Sequence, residues 1–150
     1  MLRSAGLLPY RRSSPFEVLI AHPGGPFFAR KDAGAWSIVK GLVEEGEDFV
    51  AAAVREFGEE TGWSVPDRPL HPLGEVKQRG GKVVSGFAVE ADFELEEFNP
   101  GTFQMEWRGA LRSFPEIDRV RWVDADEARR LLNPAQIPFV DRLEVALIET

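Results

Sequence analysis

The stretch from Asp48 to Gly62 constrains the fold more than any other part of the sequence. Its apolar side chains recur at the three- and four-residue spacing of a helix that buries one face, and they are Phe49, Val50, Ala53, Val54 and Phe57. Asp48 can cap the amino end of such a helix, and Gly62 suits a left-handed cap at the carboxyl end. We therefore predict a helix over Asp48–Thr61 whose apolar face packs against another element.

Short runs of apolar and β-branched residues on both sides of this helix predict strands. These runs are Ser4–Tyr10, Phe16–His22, Ala35–Val39, Leu70–Lys77, Lys82–Phe93 and Arg119–Val123. Further helices are predicted over Asp124–Leu132 and Pro138–Ile148, a loop over Gly41–Glu47, and an exposed excursion over Glu94–Phe114. This order predicts one α+β domain over residues 1–150, an α/β/α sandwich with a mixed sheet between helices.

The charge balance limits the kinds of partner. Asp and Glu number 25 against 18 Lys and Arg, a formal net charge of −7. A broad nucleic-acid surface or a site for an anionic membrane needs a basic face, so neither is expected. No run approaches the roughly 20 apolar residues of a membrane span, and the residues before Arg11 do not follow the order of a signal peptide. Together with the absence of cysteine, these features lead us to expect a cytoplasmic protein, monomeric or homodimeric.

Three carboxylates cluster at the end of the predicted helix. Glu56 and Glu60 are four residues apart and therefore neighbours on one face, with Glu59 beside them. Hard divalent cations prefer oxygen ligands, and Mg²⁺ typically combines one or two carboxylates with phosphates and water. The cluster is a candidate Mg²⁺ site, although three such residues alone are more often a solvated acidic helix face.

A longer pattern surrounds the three acids. The pattern begins with a Gly, then five residues, a Glu and seven further residues. It continues with Arg-Glu, an apolar residue, any residue, Glu-Glu, any residue, Gly and an apolar residue. They are Gly41, Glu47, Arg55, Glu56, Phe57, Glu59, Glu60, Gly62 and Trp63. This pattern resembles the Nudix box at every specified position. The resemblance implies the Nudix fold and a hydrolase of phosphoric anhydrides that uses Mg²⁺, with Mn²⁺ as a substitute.

The resemblance also implies roles for the residues of the box. Glu56 and Glu60 would be the principal metal ligands, with Glu59 and the carbonyl of Gly41 as further ligands. The catalytic set would be Arg55, Glu56 and Glu59. Glu47 would pair with Arg55 to hold the loop against the helix, and Gly62 would end the helix.

A carboxylate from a later loop often completes the site in this family. Glu116 is the first candidate, because it directly precedes the strand predicted over Arg119–Val123. Glu106, next to Trp107, is the second. An exposed loop acid is the alternative for each. His22 and His71 have no metal-binding or catalytic partner at a recognisable spacing, so we interpret both as structural or exposed.

Cations and aromatic residues outside the box are candidates for binding substrate. The phosphate candidates are Lys40, Arg30, Lys31, Lys77, Arg79 and Lys82. The base-stacking candidates are Phe27, Phe28, Phe103 and Trp107. The segment Trp36–Gly41 resembles the approach to the box in diadenosine and diphosphoinositol polyphosphate hydrolases, with Val39 in place of proline.

These features predict a nucleotide-like diphosphate as the substrate, with a dinucleoside polyphosphate preferred to a nucleoside triphosphate. Two other classes of protein stay open. One is a catalytically silent, nucleotide-sensing Nudix module, which the intact box disfavours. The other is an acidic protein-interaction domain, whose stability would not depend on Mg²⁺.

Overall fold

A computed structural model describes residues 2–149, so Met1 and Thr150 of the predicted domain lie outside the described residues. The strands are β1 Arg3–Arg11, β2 Glu17–Pro23, β3 Val39–Leu42, β4 His71–Gln78, β5 Lys82–Glu90, β6 Thr102–Trp107, β7 Ala110–Pro115 and β8 Ile117–Asp124. The helices are α1 Phe49–Thr61, α2 Ala125–Leu131 and α3 Ile137–Ile148. Most predicted strands and helices are therefore confirmed, with ends that differ from the prediction by at most three residues.

The main sheet is mixed and has six strands. Five of them follow the order β4-β5-β1-β2-β8, and β3 pairs with the first half of β1. Strands β1 and β5 run parallel, whereas the other pairs are antiparallel. Strands β6 and β7 form a separate hairpin. The predicted mixed sheet is confirmed.

Both faces of the sheet are buried. Leu7 and Leu19 point into a core shared with α1, whereas their neighbours Leu8 and Ile20 point into a second core shared with α2 and α3. Successive strand residues face opposite sides, so central strands with two covered faces are apolar throughout. The α/β/α sandwich is thus confirmed.

Helix α1 begins and ends as predicted, but its buried face is rotated. The Asp48 carboxylate accepts the Ala51 N–H, and Gly62 adopts φ 78° at the carboxyl end. Val50 and Val54 were expected in the core, and this is wrong because each is 37% exposed. The face turned to the sheet carries Ala52, Ala53, Glu56, Phe57 and Thr61, because small residues let the helix lie close to β1 and β3.

The segment before the box was also predicted incorrectly. The regular strand is Val39–Leu42 rather than Ala35–Val39, so it includes Gly41 and Leu42 of the expected loop. Ser37 instead exchanges two backbone hydrogen bonds with Ala21, at 2.8 and 2.9 Å. The strand begins later than predicted because tertiary contacts position this segment. It crosses from β2 to the edge of β1 and pairs first with one strand and then with the other.

The excursion over Glu94–Phe114 contains more regular structure than expected. A single 3₁₀ turn at Leu95–Glu97 precedes the β6–β7 hairpin. The hairpin reverses at Arg108 and Gly109, whose φ angles of 52° and 78° are both positive, as a two-residue turn of type I′ requires. Arginine is a poor sequence signal for this turn, which explains why the hairpin was missed.

Within residues 2–149, no helix combines the length and the apolar character that crossing a bilayer requires.

Candidate active site

A cavity opens where β1 and β2 diverge. Strand β1 pairs with β3 through Ser4–Leu7 but with β2 only at Tyr10 and Arg11. The cavity has a volume of about 180 Å³, and its lining is Ala21, Pro23, Ser37, Ile38, Val39, Lys40, Glu60, Glu116 and Ile117. Glu60 and Glu116 are 56 positions apart in the sequence, so the fold alone makes them neighbours.

Glu56 lies between α1 and β3, against Gly41. The residue is 9% exposed. A Cβ atom at position 41 would come within 2.5 Å of Glu56 Oε1 and still closer to its Cδ and Oε2. Real Cβ contacts are essentially never shorter than 3.0 Å, so the glycine is required for the carboxylate to sit where it does. This contact gives Gly41 a steric role beside the role of carbonyl ligand implied by the resemblance.

Negative charge is concentrated around the cavity. Burial, followed by the charges of Glu116, Glu56 and Glu59, raises the pKa of Glu60 to about 7. The pKa of Glu116 is also raised, by burial and by Glu56. These carboxylates repel one another at neutral pH, and a cation placed among them would relieve that repulsion.

Two loops fix the position of Glu116. Its N–H donates to the Gly101 carbonyl at 2.8 Å, and its own carbonyl accepts the Gly24 N–H at 2.9 Å. Gly101 in turn lies against the carbonyl of Glu59 on α1. The excursion therefore ties Glu116 to the helix that carries the other acids. Glu106 lies one register step from the far end of β6, opposite Leu111, so the hairpin keeps it away from the cavity.

Arg55 connects the start of the box to its end. Its Nε and Nη2 atoms meet the two carboxylate oxygens of Glu47 at 2.8 and 3.0 Å, and Nη2 also donates to the Leu42 carbonyl. Its Nη1 atom donates to Glu56 at 3.0 Å and to Glu59 at 3.2 Å. Hydrogen bonding by Arg55 lowers the pKa of Glu47 to about 2. The arginine thereby ties the loop to the helix through a bidentate ion pair.

Lys40 lines the cavity together with Glu60 and Glu116. Burial lowers its pKa, the charge of Lys82 lowers it further, and Glu60 and Glu56 partly offset both effects. Lys40 belongs to β3 and pairs with Gly6 of β1, and this pairing fixes its position at the wall of the cavity. The structure thus brings Lys40 into electrostatic contact with Lys82 and with the acids Glu56 and Glu60.

The remaining substrate candidates are exposed and are not among the residues that line this cavity. Arg30 is on the loop after β2, and Lys77 and Arg79 flank the β4–β5 turn. Phe28 is 37% exposed, with Lys31 Nζ 5.4 Å from the centre of its ring. The structure does not group these four candidates with the carboxylates.

Two polar residues near the site have hydrogen-bond partners that the sequence did not indicate. His22 is fully buried, and its Nδ1 lies 2.7 Å from Asp118 while its Nε2 lies 2.6 Å from the Lys31 carbonyl. Gln136 accepts the Ile38 N–H and donates to Ser37 and Gln78. Their partners are up to 99 positions away, so only the tertiary structure identifies them. His22 is structural, as expected, and His71 is exposed.

The residues at the cavity suit a hard divalent cation. Glu60 and Glu116 offer carboxylate oxygens at the cavity wall, and the carboxylate of Glu56 lies beside them, against Gly41. In residues 2–149, no three acidic or histidine side chains converge closely enough to form a complete metal site. Mg²⁺ commonly takes only one or two carboxylates and completes its shell with phosphate and water. The donor set therefore fits a metal that binds together with an anionic substrate.

Comparison with known proteins agrees with this geometry. The NUDIX domain profile matches residues 2–143. The RNA pyrophosphohydrolase of Sphingopyxis alaskensis is 29% identical over 163 residues, covering 95% of this chain and 92% of that protein. The RNA pyrophosphohydrolase of Rhodospirillum rubrum is also 29% identical, covering 96% and 90%.

Solved structures show the same fold. A C. elegans Ap4A hydrolase binary complex superposes with a TM-score of 0.70 and 21% identity, covering 100% of both chains. The NUDIX domain of Shewanella oneidensis NrtR with ADP ribose superposes with a TM-score of 0.66 and 15% identity, covering 98% and 88%. With the box, the fold and the domain profile in agreement, the chain belongs to the Nudix family and is a hydrolase of phosphoric anhydride bonds.

Proposed function

We propose that this chain uses Mg²⁺, with Mn²⁺ as a substitute, to hydrolyse a diphosphate linkage of a nucleotide. The observation that carries the proposal is that Glu60 and Glu116 line one cavity with Lys40, while the charge of nearby Glu56 raises the pKa of both acids. An excess of negative charge next to the half-buried Lys40 suits a substrate that arrives with its own metal ion.

Each residue has a distinct part in the proposed reaction. Glu56, Glu60, Glu116 and the Gly41 carbonyl would hold the metal, with Glu59 as a further ligand or the acceptor of the proton from water. Bound there, Mg²⁺ would offset phosphate charge and activate water. Lys40 places a positive charge at the cavity wall, where it can bind a phosphate oxygen. Arg55 orients Glu56 and Glu59 through its hydrogen bonds.

The proposal also names the class of substrate. The two relatives described above are RNA pyrophosphohydrolases. The only phosphoric anhydrides in an RNA chain are those of a 5′-terminal di- or triphosphate. We therefore favour the 5′ end of RNA over the dinucleoside polyphosphate preferred from sequence. One structural feature still favours a dinucleoside polyphosphate. It is the group of exposed cations around the β4–β5 turn, Lys77, Arg79 and Lys82.

The test uses a panel of substrates incubated with Mg²⁺ in ¹⁸O-labelled water. The panel holds a 5′-triphosphorylated oligoribonucleotide, diadenosine tetraphosphate and single nucleoside triphosphates. Chromatography identifies the products, and the labelled product identifies the attacked phosphorus. Glu56→Gln and Glu60→Gln should each lower kcat by about a hundredfold or more, the scale for loss of one electrostatic stabiliser.

The matched control is Glu45→Gln, which removes an exposed acid from the loop before α1. Its kcat should equal that of the unaltered protein. Normal turnover by both Glu56→Gln and Glu60→Gln at saturating Mg²⁺ would disprove the proposed site. Ligand binding without hydrolysis would indicate a nucleotide-sensing module. No response to any nucleotide or to Mg²⁺ would indicate an interaction domain.

A further inference from the structure

The β6–β7 hairpin and the loop after β2 leave the cavity side by side. Pro23 lines the cavity, and Gly24 packs directly against the Pro115 carbonyl at the base of the hairpin. Gly25 lies opposite the Phe103 ring. The loop therefore follows the hairpin outward from the candidate active site.

The two segments meet at an aromatic pair near the tip of the hairpin. Phe27 and Trp107 pack edge to face, with ring centres 5.7 Å apart and planes inclined by 76°. Phe27 nevertheless remains 64% exposed. A large aromatic side chain left mostly in solvent beside another ring offers a face on which a planar group can stack.

Arginines surround the same tip. The Arg108 guanidinium lies 5.7 Å from the centre of the Trp107 ring, and Arg112 Nε donates to the Trp107 carbonyl at 3.1 Å. Arg108 has the one positive φ among the described residues other than glycine. Arg108 thus adopts an unfavourable backbone conformation at the turn, and in this position its guanidinium lies beside Trp107 of the aromatic pair.

The local charge is opposite to that of the chain. The loop over residues 24–38 and the hairpin over residues 102–115 contain four cations, Arg30, Lys31, Arg108 and Arg112, and two acids, Asp32 and Glu106, although the chain carries a net charge of −7. Exposed rings interspersed with cations are the combination by which proteins bind single-stranded nucleic acid, through base stacking and phosphate contacts.

The distance from the cavity indicates which base would reach the tip. The base of the hairpin is the pair Thr102 and Pro115, next to Glu116, and its tip is the pair Trp107 and Ala110. These pairs are five residues apart along β6, so the tip lies about 17 Å from the base at 3.4 Å per residue. The first nucleoside follows directly on the cleaved phosphates, so its base stays closer to the cavity. A base at the tip belongs to a nucleotide further along a chain.

We propose that the Phe27–Trp107 pair stacks an unpaired base downstream of the 5′ phosphates of an RNA chain, with Arg108 and Arg112 contacting its phosphodiester backbone. This inference rests on the proposed hydrolysis of a nucleotide diphosphate linkage and adds a site for the part of the substrate that does not react. The site covers one or two nucleotides, which is compatible with an acidic chain.

The test compares Trp107→Ala and Phe27→Ala on a 5′-triphosphorylated tetraribonucleotide and on ATP. Loss of one stacked base corresponds to a fall of about 5- to 150-fold, so kcat/KM for the RNA should fall by that factor, mainly through KM. Values for ATP should stay within about twofold. Trp107→Phe should recover most of the loss. Leu111→Ala removes a 70% exposed apolar side chain from the same hairpin, and it should change neither substrate.

Several outcomes would overturn the inference. Equal losses on RNA and ATP, with a lower melting temperature, would show that the pair only fastens the hairpin to the loop. An equal loss on diadenosine tetraphosphate would make the occupant the second nucleoside of a dinucleotide. If no substrate is cleaved, the proposed function fails. Fluorescence anisotropy of a 3′-labelled 5′-triphosphorylated RNA in EDTA then still tests the site, and unchanged affinity in Trp107→Ala would refute it.

Discussion

Replacing Gly41 by alanine should abolish most activity while leaving the fold intact. The new methyl group would lie within 2.5 Å of Glu56 Oε1 and closer to the other carboxyl atoms. Ordinary contact begins at 3.4 Å, so the carboxylate must retreat by at least 0.9 Å, the difference between these two distances. A misplacement of about 1 Å in a reacting group costs about a hundredfold. We therefore expect kcat/KM to fall by about two orders of magnitude.

The effect on stability should be small because the clash falls on the end of a flexible side chain. Moving Glu56 off its preferred rotamer costs about 0.5–1.5 kcal/mol. Replacing a strand glycine by alanine returns about 0.5–1 kcal/mol of backbone entropy. The two effects nearly cancel, so the melting temperature should change by no more than about 4 °C.

The assay measures steady-state kinetics on the best substrate of the panel and thermal unfolding by circular dichroism. Gly58→Ala is the matched control, since a Cβ there would be 3.8 Å from its nearest neighbour, the Trp63 carbonyl. That variant lies in α1 and should gain about 0.5–1 kcal/mol of stability with unchanged activity. If Gly41→Ala keeps more than a third of the normal kcat/KM, the steric reasoning about Glu56 is wrong.

Three further changes test the electrostatics and the helix. The folded-state pKa of Glu60 is about 7, above its unfolded value, so its charge destabilises the fold increasingly as pH rises from about 4.3 to 7. After allowance for solvent screening, Glu60→Gln should stabilise the protein in EDTA by about 1–2 kcal/mol at pH 8 and leave the melting temperature unchanged at pH 4. An equal gain at both pH values would contradict the assignment. Arg55→Lys removes the bidentate contact with Glu47 and should lower both kcat and the melting temperature, because an ammonium cannot bridge Glu47, Glu56 and Glu59 together. Kinetics and unfolding that match the unaltered protein would refute this. Asp48→Ala removes the cap on Ala51 and should cost about 1 kcal/mol, or about 2–4 °C in melting temperature, while Asp67→Ala, on an exposed loop, serves as its control.

The sequence by itself identified helix α1 and the chemistry it carries. The caps at Asp48 and Gly62 and the four-residue spacing of Glu56 and Glu60 are local features, because helix geometry fixes them within a few residues. The strands of the central sheet were identified for a similar reason, since burial on both faces makes them apolar throughout.

Local rules failed where contacts distant in sequence determine the structure. The rotation of α1 buries Ala52 and exposes Val50, because the closeness of the sheet favours small side chains over larger apolar ones. The hairpin over residues 102–115 lacked the usual turn residues, so its positive φ at Arg108 could not be read from the sequence. The strand Val39–Leu42 exists because β1 has a free edge there.

Only the tertiary structure assembled the rest of the site. It brought Glu116 to Glu60 through the backbone bonds of Gly101 and Gly24, and it placed Glu106 on the far part of the hairpin. The sequence alone predicted that Glu56, Glu59 and Glu60 lie close together, because neighbours on a helix are near in sequence. The fold determined the cavity, because its walls come from segments that meet only when β1 and β2 separate.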